Sequence, residues 1–286
     1  MDEKLERKNT QARNKEIEQY LKEERKAYEK YLKEPKLLIL GSSDCGKSTL
    51  LKQMKILHGN GFSELEKKAA RDNIRTNLIN ALTQMLKSIP LQSADKTNYL
   101  SFSEDWPTPD NVIPKDIVDM VKRLWEIPEV KASCKELKLP ETTPFFFNAV
   151  ERLSEAEYIP TDEDILNLRT VTQCVSETIF NINGSNFHFF DVSGLRHHRK
   201  AWFSYFEHVT TVLFVASISS YDQNLVEDPT VNRMVDSLVL FEQITNHKLM
   251  AKPQFVLFFN KKDLYEVKIK QVGIREFFPE YDGTRS

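Results

Sequence analysis

Apolar residues in the first 34 positions recur mostly at steps of three and four, between dense charges of both signs. This spacing predicts one amphipathic helix over residues 1–34, ended by Pro35. Its thin apolar stripe comprises Ile17, Tyr20, Leu21, Tyr28, Tyr31 and Leu32. Two interpretations of the stripe stay open: a solvated helix that packs on its own domain, or a docking surface for a partner protein.

Five short segments, of which three are apolar runs and two are β-rich runs, predict the strands of a sheet. They are Lys36–Leu40, Val175–Asn181, Phe187–Val192, Val209–Ser217 and Gln254–Asn260. The second and third runs flank Asn183-Gly184-Ser185, which is a hairpin signal. Runs as apolar as Lys36–Leu40, Val209–Ser217 and Gln254–Asn260 are typical of strands that are buried on both faces, as in a parallel sheet covered by helices.

Helical periodicity dominates between these strands, in the middle of the chain. The predicted helices are Ser48–His58, Ser63–Lys87, Asp116–Trp125 and Thr143–Leu153, joined by loops rich in Pro, Asp and Asn. The pattern predicts an α/β sheet domain, residues 35–59 and 162–286, that carries an all-helical insert, residues 60–161.

The composition narrows the class of protein. The chain has 286 residues and a formal net charge of −2, which argues against nucleic acid as a partner held by bulk positive charge. Its cysteines, Cys45, Cys134 and Cys174, form no CxxC pair, as expected of reduced thiols in a cytoplasmic protein. The sequence has no apolar run of transmembrane length, and Asp2 excludes N-myristoylation.

A phosphate-binding loop is predicted directly after the first strand. The motif G-x-x-x-x-G-K-[ST] is matched by Gly41, Ser42, Ser43, Asp44, Cys45, Gly46, Lys47 and Ser48. Backbone N–H groups and the following helix N-terminus cradle phosphate oxygens in such a loop. Lys47 reaches the β and γ phosphates and the Ser48 hydroxyl ligates Mg²⁺. The alternative is a chance glycine loop, which the strand–loop–helix context disfavours.

Two more strand ends carry candidate chemistry. Asn260, Lys261 and Asp263 form an N-K-x-D motif, the guanine-reading signature of GTPases. A carboxylate at Asp263 accepts from guanine N1–H and the 2-amino group, a donor pair that adenine lacks, although a surface turn is the alternative for this motif alone. Asp191 ends another strand and is expected to hold Mg²⁺ through water. The nearby Gly194 N–H is available to the γ-phosphate.

With these motifs in place, the chain resembles the α subunit of a heterotrimeric G protein from about Lys15 to Gly283. Further matching segments are Leu50–Lys55 and Tyr158–Thr161. The resemblance implies a Ras-like P-loop GTPase core with a parallel-type sheet, an N-terminal helix and an inserted helical domain. It also implies a GTPase that switches between GTP and GDP, uses Mg²⁺ and couples to G protein-coupled receptors.

Several residue roles follow only from this resemblance. Arg169 falls at the position of the family's built-in arginine finger, a role for which G-protein α subunits are an established example. An ordinary surface charge is the alternative for Arg169. Thr172 falls at the Mg²⁺ ligand of the first switch. In the second switch, Arg199 is expected to pair with Asp236.

The chain departs from the resemblance at its catalytic loops. Leu195 stands where the family has the glutamine that orients the attacking water, and leucine has no donor or acceptor for this task. Ser43 and Ser193 replace glycines beside the γ-phosphate. We therefore expect GTP to be bound but hydrolysed slowly, the alternative being local rearrangement that tolerates the changes. Cys174 replaces a first-switch glycine, which implies a weaker response to regulators of G-protein signalling.

The end of the sequence also departs, because the family continues beyond Asp263 into a further strand and the receptor-binding helix. The strand Phe255 to Phe259 is then expected to be a sheet edge with an uncovered apolar face, which favours aggregation. Two alternatives stay open: the sequence is a truncated product or gene model, or a partner covers that face. This makes receptor coupling doubtful, and effector and regulators are unknown.

The expected partner is a G protein βγ dimer, bound by the N-terminal helix and by Arg199, Lys200 and Trp202 of the second switch. The expected location is the cytoplasm, with contact to the inner face of the plasma membrane made through βγ. The alternative function is a degenerate, non-hydrolysing GTP-binding module that sequesters βγ without receptor coupling.

Overall fold

The computed structural model describes residues 2–107, 112–137, 139–170, 172 and 175–283. These residues fold into two compact units, one formed by Met1–Ser48 with Thr172–Ser286 and the other by Thr49–Val171. We call them the sheet unit and the helical unit. This division assigns residues 49–59 and 162–171 to the helical unit, whereas the sequence-based boundaries assign them to the sheet domain, and those boundaries stay a prediction.

Eleven helices and five strands are assigned in the described part of the chain. The strands are β1 (Lys36–Leu40), β2 (Ser176–Ile182), β3 (Ser185–Asp191), β4 (Thr211–Ser217) and β5 (Gln254–Asn260). The helices are α1 (Asp2–Lys33), α2 (Lys47–His58), α3 (Glu64–Ser88), α4 (Ala94–Glu104), α5 (Lys115–Trp125), α6 (Pro128–Glu136), α7 (Thr143–Asn148), α8 (Val150–Ser154), α9 (Asp162–Asn167), α10 (Arg233–Thr245) and α11 (Lys262–Lys268). The longest 3₁₀ segment is Arg196–His208.

The five strands form one sheet in the order β2-β3-β1-β4-β5. Strands β3, β1, β4 and β5 run parallel, with Leu38 opposite both Phe190 and Val212, and β2 pairs antiparallel with β3. The predicted hairpin is confirmed: Asn183 and Gly184 both have positive φ, as a two-residue turn between twisted strands requires. Because parallel strands end at the same edge, the loops after β1, β3 and β5 meet there.

One hydrophobic cluster of the sheet unit lies on one face of the sheet. Successive side chains of a strand point to opposite faces, so Leu38 and Leu40, two positions apart in β1, point toward the same face. They pack with residues of β3, β4, the 3₁₀ segment and α10, namely Phe190, Val192, Val212, Phe214, Trp202, Phe206, Leu240 and Ile244. This cluster holds the 3₁₀ segment, and thus the residues just after β3, against the sheet.

Strand β5 is the exception to the expectation of strands buried on both faces. Val256, Leu257, Phe258 and Phe259 are 40–64% exposed. The physical reason is the strand's place in the sheet, since β5 pairs with β4 on one side and forms the edge on the other. The expectation of an uncovered apolar edge is confirmed, and the expectation of burial on both faces is wrong here.

Helix α1 is joined to the sheet through its C-terminal end. His188 on β3 is 3% exposed, and its two ring nitrogens bond to Glu34 at 2.7 Å and to Glu177 at 2.6 Å. The hydrogen bond with His188 lowers the pKa of Glu34. Tyr31 packs edge-on against the His188 ring. These contacts fix the position of the C-terminal end of α1 against the sheet. Among the helices of the described residues, none is long and apolar enough to cross a membrane.

The helical unit has its own core, in which α3 is the central helix. Its buried face includes Ile74, Leu78, Leu82 and Leu86, packed against α4, α5 and the short helices that follow. The predicted helices at α3 and α5 are confirmed within two residues. The single helix predicted over Thr143–Leu153 is wrong, because non-helical backbone at Ala149 divides it into α7 and α8.

Asp164 organises the end of the helical unit. It is fully buried and accepts hydrogen bonds from both Arg152 Nη1 at 2.7 Å and Nη2 at 2.8 Å, from the Tyr158 hydroxyl at 2.8 Å and from the Thr161 N–H at 2.9 Å. Burial by itself raises the pKa of Asp164, but Arg152, Thr161 and Tyr158 outweigh it and lower the pKa to about 2. The ionised carboxylate therefore stabilises this end of the unit.

We expect Asp164→Asn to lower the free energy of unfolding at pH 7 by about 2 kcal/mol, because it leaves Arg152 without its charged partner. A lowered pKa contributes stability above the ordinary value of 3.8, and that contribution is lost as pH falls toward 2. The variant should therefore lack this acid-dependent loss. Urea denaturation between pH 7 and pH 2 measures both effects.

The matched control for this experiment is Asp162→Asn in the same helix, whose side chain is exposed. It should change the unfolding free energy by less than about 0.5 kcal/mol. Equal stability of Asp164→Asn and the control at pH 7 would show that the network is not stabilising.

Candidate functional site

The loop after β1 wraps around the side chain of Lys47. Lys47 is 5% exposed, and its ammonium donates to the carbonyls of Gly41 at 3.0 Å and Ser42 at 2.7 Å. Lys47 is also the first residue of α2, so the loop ends on a helix N-terminus. Backbone N–H groups, a helix N-terminus and a lysine ammonium thus lie together, which is the arrangement that binds phosphate.

The loop after β1 contacts the end of β5 at Gly46, where the absence of a side chain leaves room for Asn260. Gly46 has φ +105°, and a Cβ built there would overlap the Asn260 side-chain amide. Asn260 Nδ2 donates to the Cys45 carbonyl at 2.8 Å. The first residue of the N-K-x-D motif therefore supports the phosphate loop. Of the other two, Lys261 is left-handed at φ 60° and Asp263 is exposed in the first turn of α11.

A second group of oxygens forms beside the loop, from three segments of the sheet unit. The hydroxyls of Ser48 and Thr172 are 2.9 Å apart, and they lie 3.0 and 3.4 Å from Asp191 Oδ2. Burial raises the pKa of Asp191, although Lys47 and the two hydroxyls oppose the shift. The structure thus brings together the three residues that the sequence predicts as Mg²⁺ ligands.

The hydrogen bonding of Asp191 indicates that these three residues fit Mg²⁺. Its Oδ1 is buried with no hydrogen-bond partner in the described part of the chain, a costly arrangement that a cation or its bound water would relieve. Hydroxyl and carboxylate oxygens are ligands that Mg²⁺ accepts. Residues 2–107, 112–137, 139–170, 172 and 175–283 hold no metal-binding cluster of three or more His, Cys, Asp or Glu. Mg²⁺ at protein sites usually keeps several waters and binds substrate phosphate, and these would complete the shell here.

The backbone after β3 passes close to the phosphate loop. A Cβ built on Gly194 would lie 2.5 Å from Lys47 Nζ and 2.7 Å from the Ser42 carbonyl oxygen. Arg199 donates to the Gly194 carbonyl at 3.1 and 3.2 Å and forms an ion pair with Asp236 at 2.6 Å. The predicted pair of Arg199 and Asp236 is confirmed.

The prediction that Trp202 lies on a partner surface with Arg199 and Lys200 is wrong. Trp202 is 2% exposed and donates from Nε1 to the Ser193 carbonyl at 3.0 Å. Arg199 is half-buried, and Lys200 is exposed. The indole ring therefore fixes the backbone after β3 instead of facing a partner, and Lys200 is the exposed residue of the three.

The two serines at the departures from the family are both hydrogen-bonded. The Ser43 hydroxyl donates to the Glu227 carboxylate, at 3.1 and 3.2 Å from its two oxygens. The Ser193 hydroxyl lies 2.9 Å from His198 Nδ1. Neither pair was predicted from the sequence: Ser43 and Glu227 are 184 positions apart, and no motif marks the contact of Ser193 with His198 within the same segment. Leu195 is partly buried at the start of the 3₁₀ segment.

Arg169 and Cys174 are two residues whose predicted roles stay predictions. Arg169 belongs to the helical unit, where its carbonyl accepts a hydrogen bond from Asn77 at 3.1 Å, and its catalytic role stays a prediction. Cys174 lies outside the described residues. Its predicted effect on regulators also stays a prediction.

Comparison with known proteins identifies the family. Residues 11–286 match the model of the G-alpha family, described as G-protein alpha subunit. The chain belongs to this family. It is 37% identical to the guanine nucleotide-binding protein alpha-9 subunit of Dictyostelium discoideum over 276 residues, 93% of this chain and 79% of that protein. It is also 37% identical to the alpha-17 subunit of Caenorhabditis elegans over 288 residues, 96% of this chain and 80% of that protein.

Family membership establishes the class of fold and the class of ligand. This G-protein alpha subunit has the family's P-loop GTPase fold, with a mostly parallel sheet and a helical insert. Members bind guanine nucleotides and act in signal transduction, and they are generally GTPases. The phosphate loop, the oxygens around Asp191 and the N-K-x-D motif lie at the carboxyl edge of the sheet, where open α/β sheets bind ligands.

We expect Gly194→Ala to weaken binding of the non-hydrolysable analogue GTPγS at least about tenfold, because the new Cβ displaces Lys47 from its position against Ser42. Fluorescence titration measures the affinity. Gly184→Ala in the hairpin is the control: a Cβ there meets nothing within 4 Å. That variant should lose stability through its positive φ without loss of nucleotide affinity. Unchanged affinity in Gly194→Ala would contradict the expected close approach.

Proposed function

We propose that this chain is a guanine-nucleotide switch that binds GTP and GDP with Mg²⁺ and hydrolyses GTP slowly. The observation that carries the proposal is Leu195, which directly follows Gly194 and has no hydrogen-bonding group. In this enzyme class a glutamine orients the attacking water. A site that keeps its binding groups and lacks this one retains affinity while losing rate.

Binding is assigned to the chain's own residues as follows. Backbone N–H groups of residues 41–48 and the Lys47 ammonium hold the β and γ phosphates. The Asp263 carboxylate accepts from the guanine edge, and its exposure leaves it open to a base. Ser48 and Thr172 would supply hydroxyl ligands to Mg²⁺, and Asp191 would hold it through water. When bound, Mg²⁺ neutralises charge on the β and γ phosphates.

Slow hydrolysis is further supported by the two serines. Ser43 and Ser193 each add a side chain to loops that contact phosphate, and each hydroxyl is already bonded, to Glu227 and His198 respectively. These bonds hold the added side chains in place, so local rearrangement must break them. Arg169 is the proposed arginine finger that stabilises charge on the transferred phosphate.

The proposed partner is a G protein βγ dimer. Exposed residues support such a surface on α1, where Ile17, Tyr20, Leu21 and Tyr28 are 48–63% exposed. In the second switch, Lys200 is exposed and Phe203 is 51% exposed. The proposed location is the cytoplasm, with contact to the inner face of the plasma membrane made through βγ.

We expect single-turnover GTP hydrolysis to be at least about 100-fold slower than in an alpha subunit that has the glutamine, which corresponds to roughly 2.7 kcal/mol of activation barrier. Leu195→Gln should recover only part of the rate while Ser43 and Ser193 remain. The measurement is release of phosphate from bound GTP. Leu195→Asn is the matched control, because its shorter amide should recover less.

The outcomes separate the switch from the alternative. A rate equal to that of a glutamine-containing subunit overturns slow hydrolysis. Bound GTP that is never hydrolysed, even in Leu195→Gln, favours a static GTP-binding module that sequesters βγ.

Base recognition provides an independent test. We expect Asp263→Asn to weaken GDP binding at least about tenfold, because a neutral amide cannot accept from both guanine donors as a carboxylate does. Glu266→Gln, an exposed change of charge in the same helix, should leave the affinity unchanged. Equal GDP affinity of the two variants would contradict guanine reading by Asp263.

A further inference from the structure

The segment before α10 forms a compact loop, residues 224–232, which we call the carboxylate loop. Its ends are bridged at Asn224 and Asn232. The Leu225 N–H donates to the Val231 carbonyl at 2.9 Å, and Asn224 Nδ2 donates to the Pro229 carbonyl at 2.7 Å. Leu225 is 2% exposed and anchors the loop. The loop is therefore a preformed element that holds its side chains in fixed positions.

Two consecutive carboxylates of this loop bond to two different segments of the nucleotide site. Glu227 accepts from the Ser43 hydroxyl of the phosphate loop at 3.1 and 3.2 Å. Asp228 accepts from Arg196 Nη1, in the segment after β3, at 2.6 Å. The carboxylate loop is thus coupled to both backbone segments that approach the terminal phosphates.

Arg233, the first residue of α10, holds the phosphate loop from the same side. It is buried, and its Nη2 donates to the Ser43 carbonyl at 2.8 Å and lies 3.2 Å from Asp44 Oδ2. Its Nη1 donates to the Gln223 side chain at 2.8 Å. Both the hydroxyl and the carbonyl of Ser43 are therefore held, which fixes Glu227 relative to the phosphate loop.

The position of Ser43 brings the Glu227 charge close to the terminal phosphate. Ser42, the preceding residue, accepts from Lys47 Nζ at 2.7 Å and lies against Gly194. The lysine of this motif reaches the β and γ phosphates, so a γ-phosphate is brought to the point where these three residues meet. The Glu227 carboxylate, which is partly buried and bonded to the next residue, Ser43, repels such a phosphate, and burial reduces the screening by water.

We infer that Glu227, held by Ser43, is a specificity-determining residue that favours a nucleoside diphosphate over a triphosphate. The inference rests on the proposed guanine-nucleotide site. A γ-phosphate either faces the Glu227 carboxylate or breaks the bond from Ser43 and displaces the carboxylate loop, including the contact of Asp228 with Arg196. A diphosphate meets neither penalty, because its charge ends at the β-phosphate.

The test is Glu227→Gln in the full chain, titrated with fluorescent GDP and fluorescent GTPγS in the presence of Mg²⁺. Glutamine keeps the size and the hydrogen bond and removes the charge. The expected result is GTPγS affinity raised at least about tenfold with GDP affinity changed less than about threefold. Glu242→Gln is the matched control, since Glu242 is an exposed residue of α10 and should shift neither affinity.

Ser43→Ala tests the same contact from the other side. It removes the hydroxyl that anchors Glu227 and leaves the carboxylate loop intact, so it should raise the ratio of GTPγS to GDP affinity by a smaller factor. An unchanged ratio in both variants, or an equal gain for both nucleotides, overturns the inference. Failure of the unaltered chain to bind GDP and GTPγS overturns the proposed function itself.

Discussion

The nucleotide site depends on the hydrogen bond from Asn260 to the Cys45 carbonyl. This bond exists because Gly46 has no side chain at the place where the amide passes. It connects the end of the edge strand β5 to the loop after β1, two strands away in the sheet. The N-K-x-D motif and the loop after β1 are consequently connected at one end of the sheet, and this connection keeps Lys47 and the start of α11 in a fixed relation.

Charge balance is the second constraint on this end of the sheet. Lys47 and Arg233 are buried cations, and Asp191 and Glu227 are carboxylates at the margins of the same loop. Buried charges are tolerated only when paired or hydrogen-bonded. Each of these four has hydrogen bonds on at least one polar atom. A ligand that adds negative charge therefore changes the charge balance among these two cations and two carboxylates.

Much of the fold follows from local pattern, and the failures have physical causes. The strands were predicted because they are short apolar or β-rich runs, and the helices α2, α3 and α5 because apolar residues recur in them at helical spacing. Helix α4 is weakly amphipathic, and α6, α9 and α11 have nine residues or fewer, so periodicity missed them. It also missed the 13-residue α10. The capping box of Thr161 and Asp164 was a usable signal for α9. Burial of β5 was predicted wrongly, since apolar content does not reveal a strand's place in the sheet.

The sequence by itself determined the family and the chemical groups of the site, because Gly41 to Ser48, Asp191 and Asn260 to Asp263 are continuous motifs at strand ends. Only the tertiary structure decided what those groups bond to. Ser43 and Glu227, which are hydrogen-bonded, are 184 positions apart. Trp202 is buried and donates a hydrogen bond to the Ser193 carbonyl after β3. Such pairs form because parallel strands bring distant loops to one edge, a consequence of topology that no local pattern encodes.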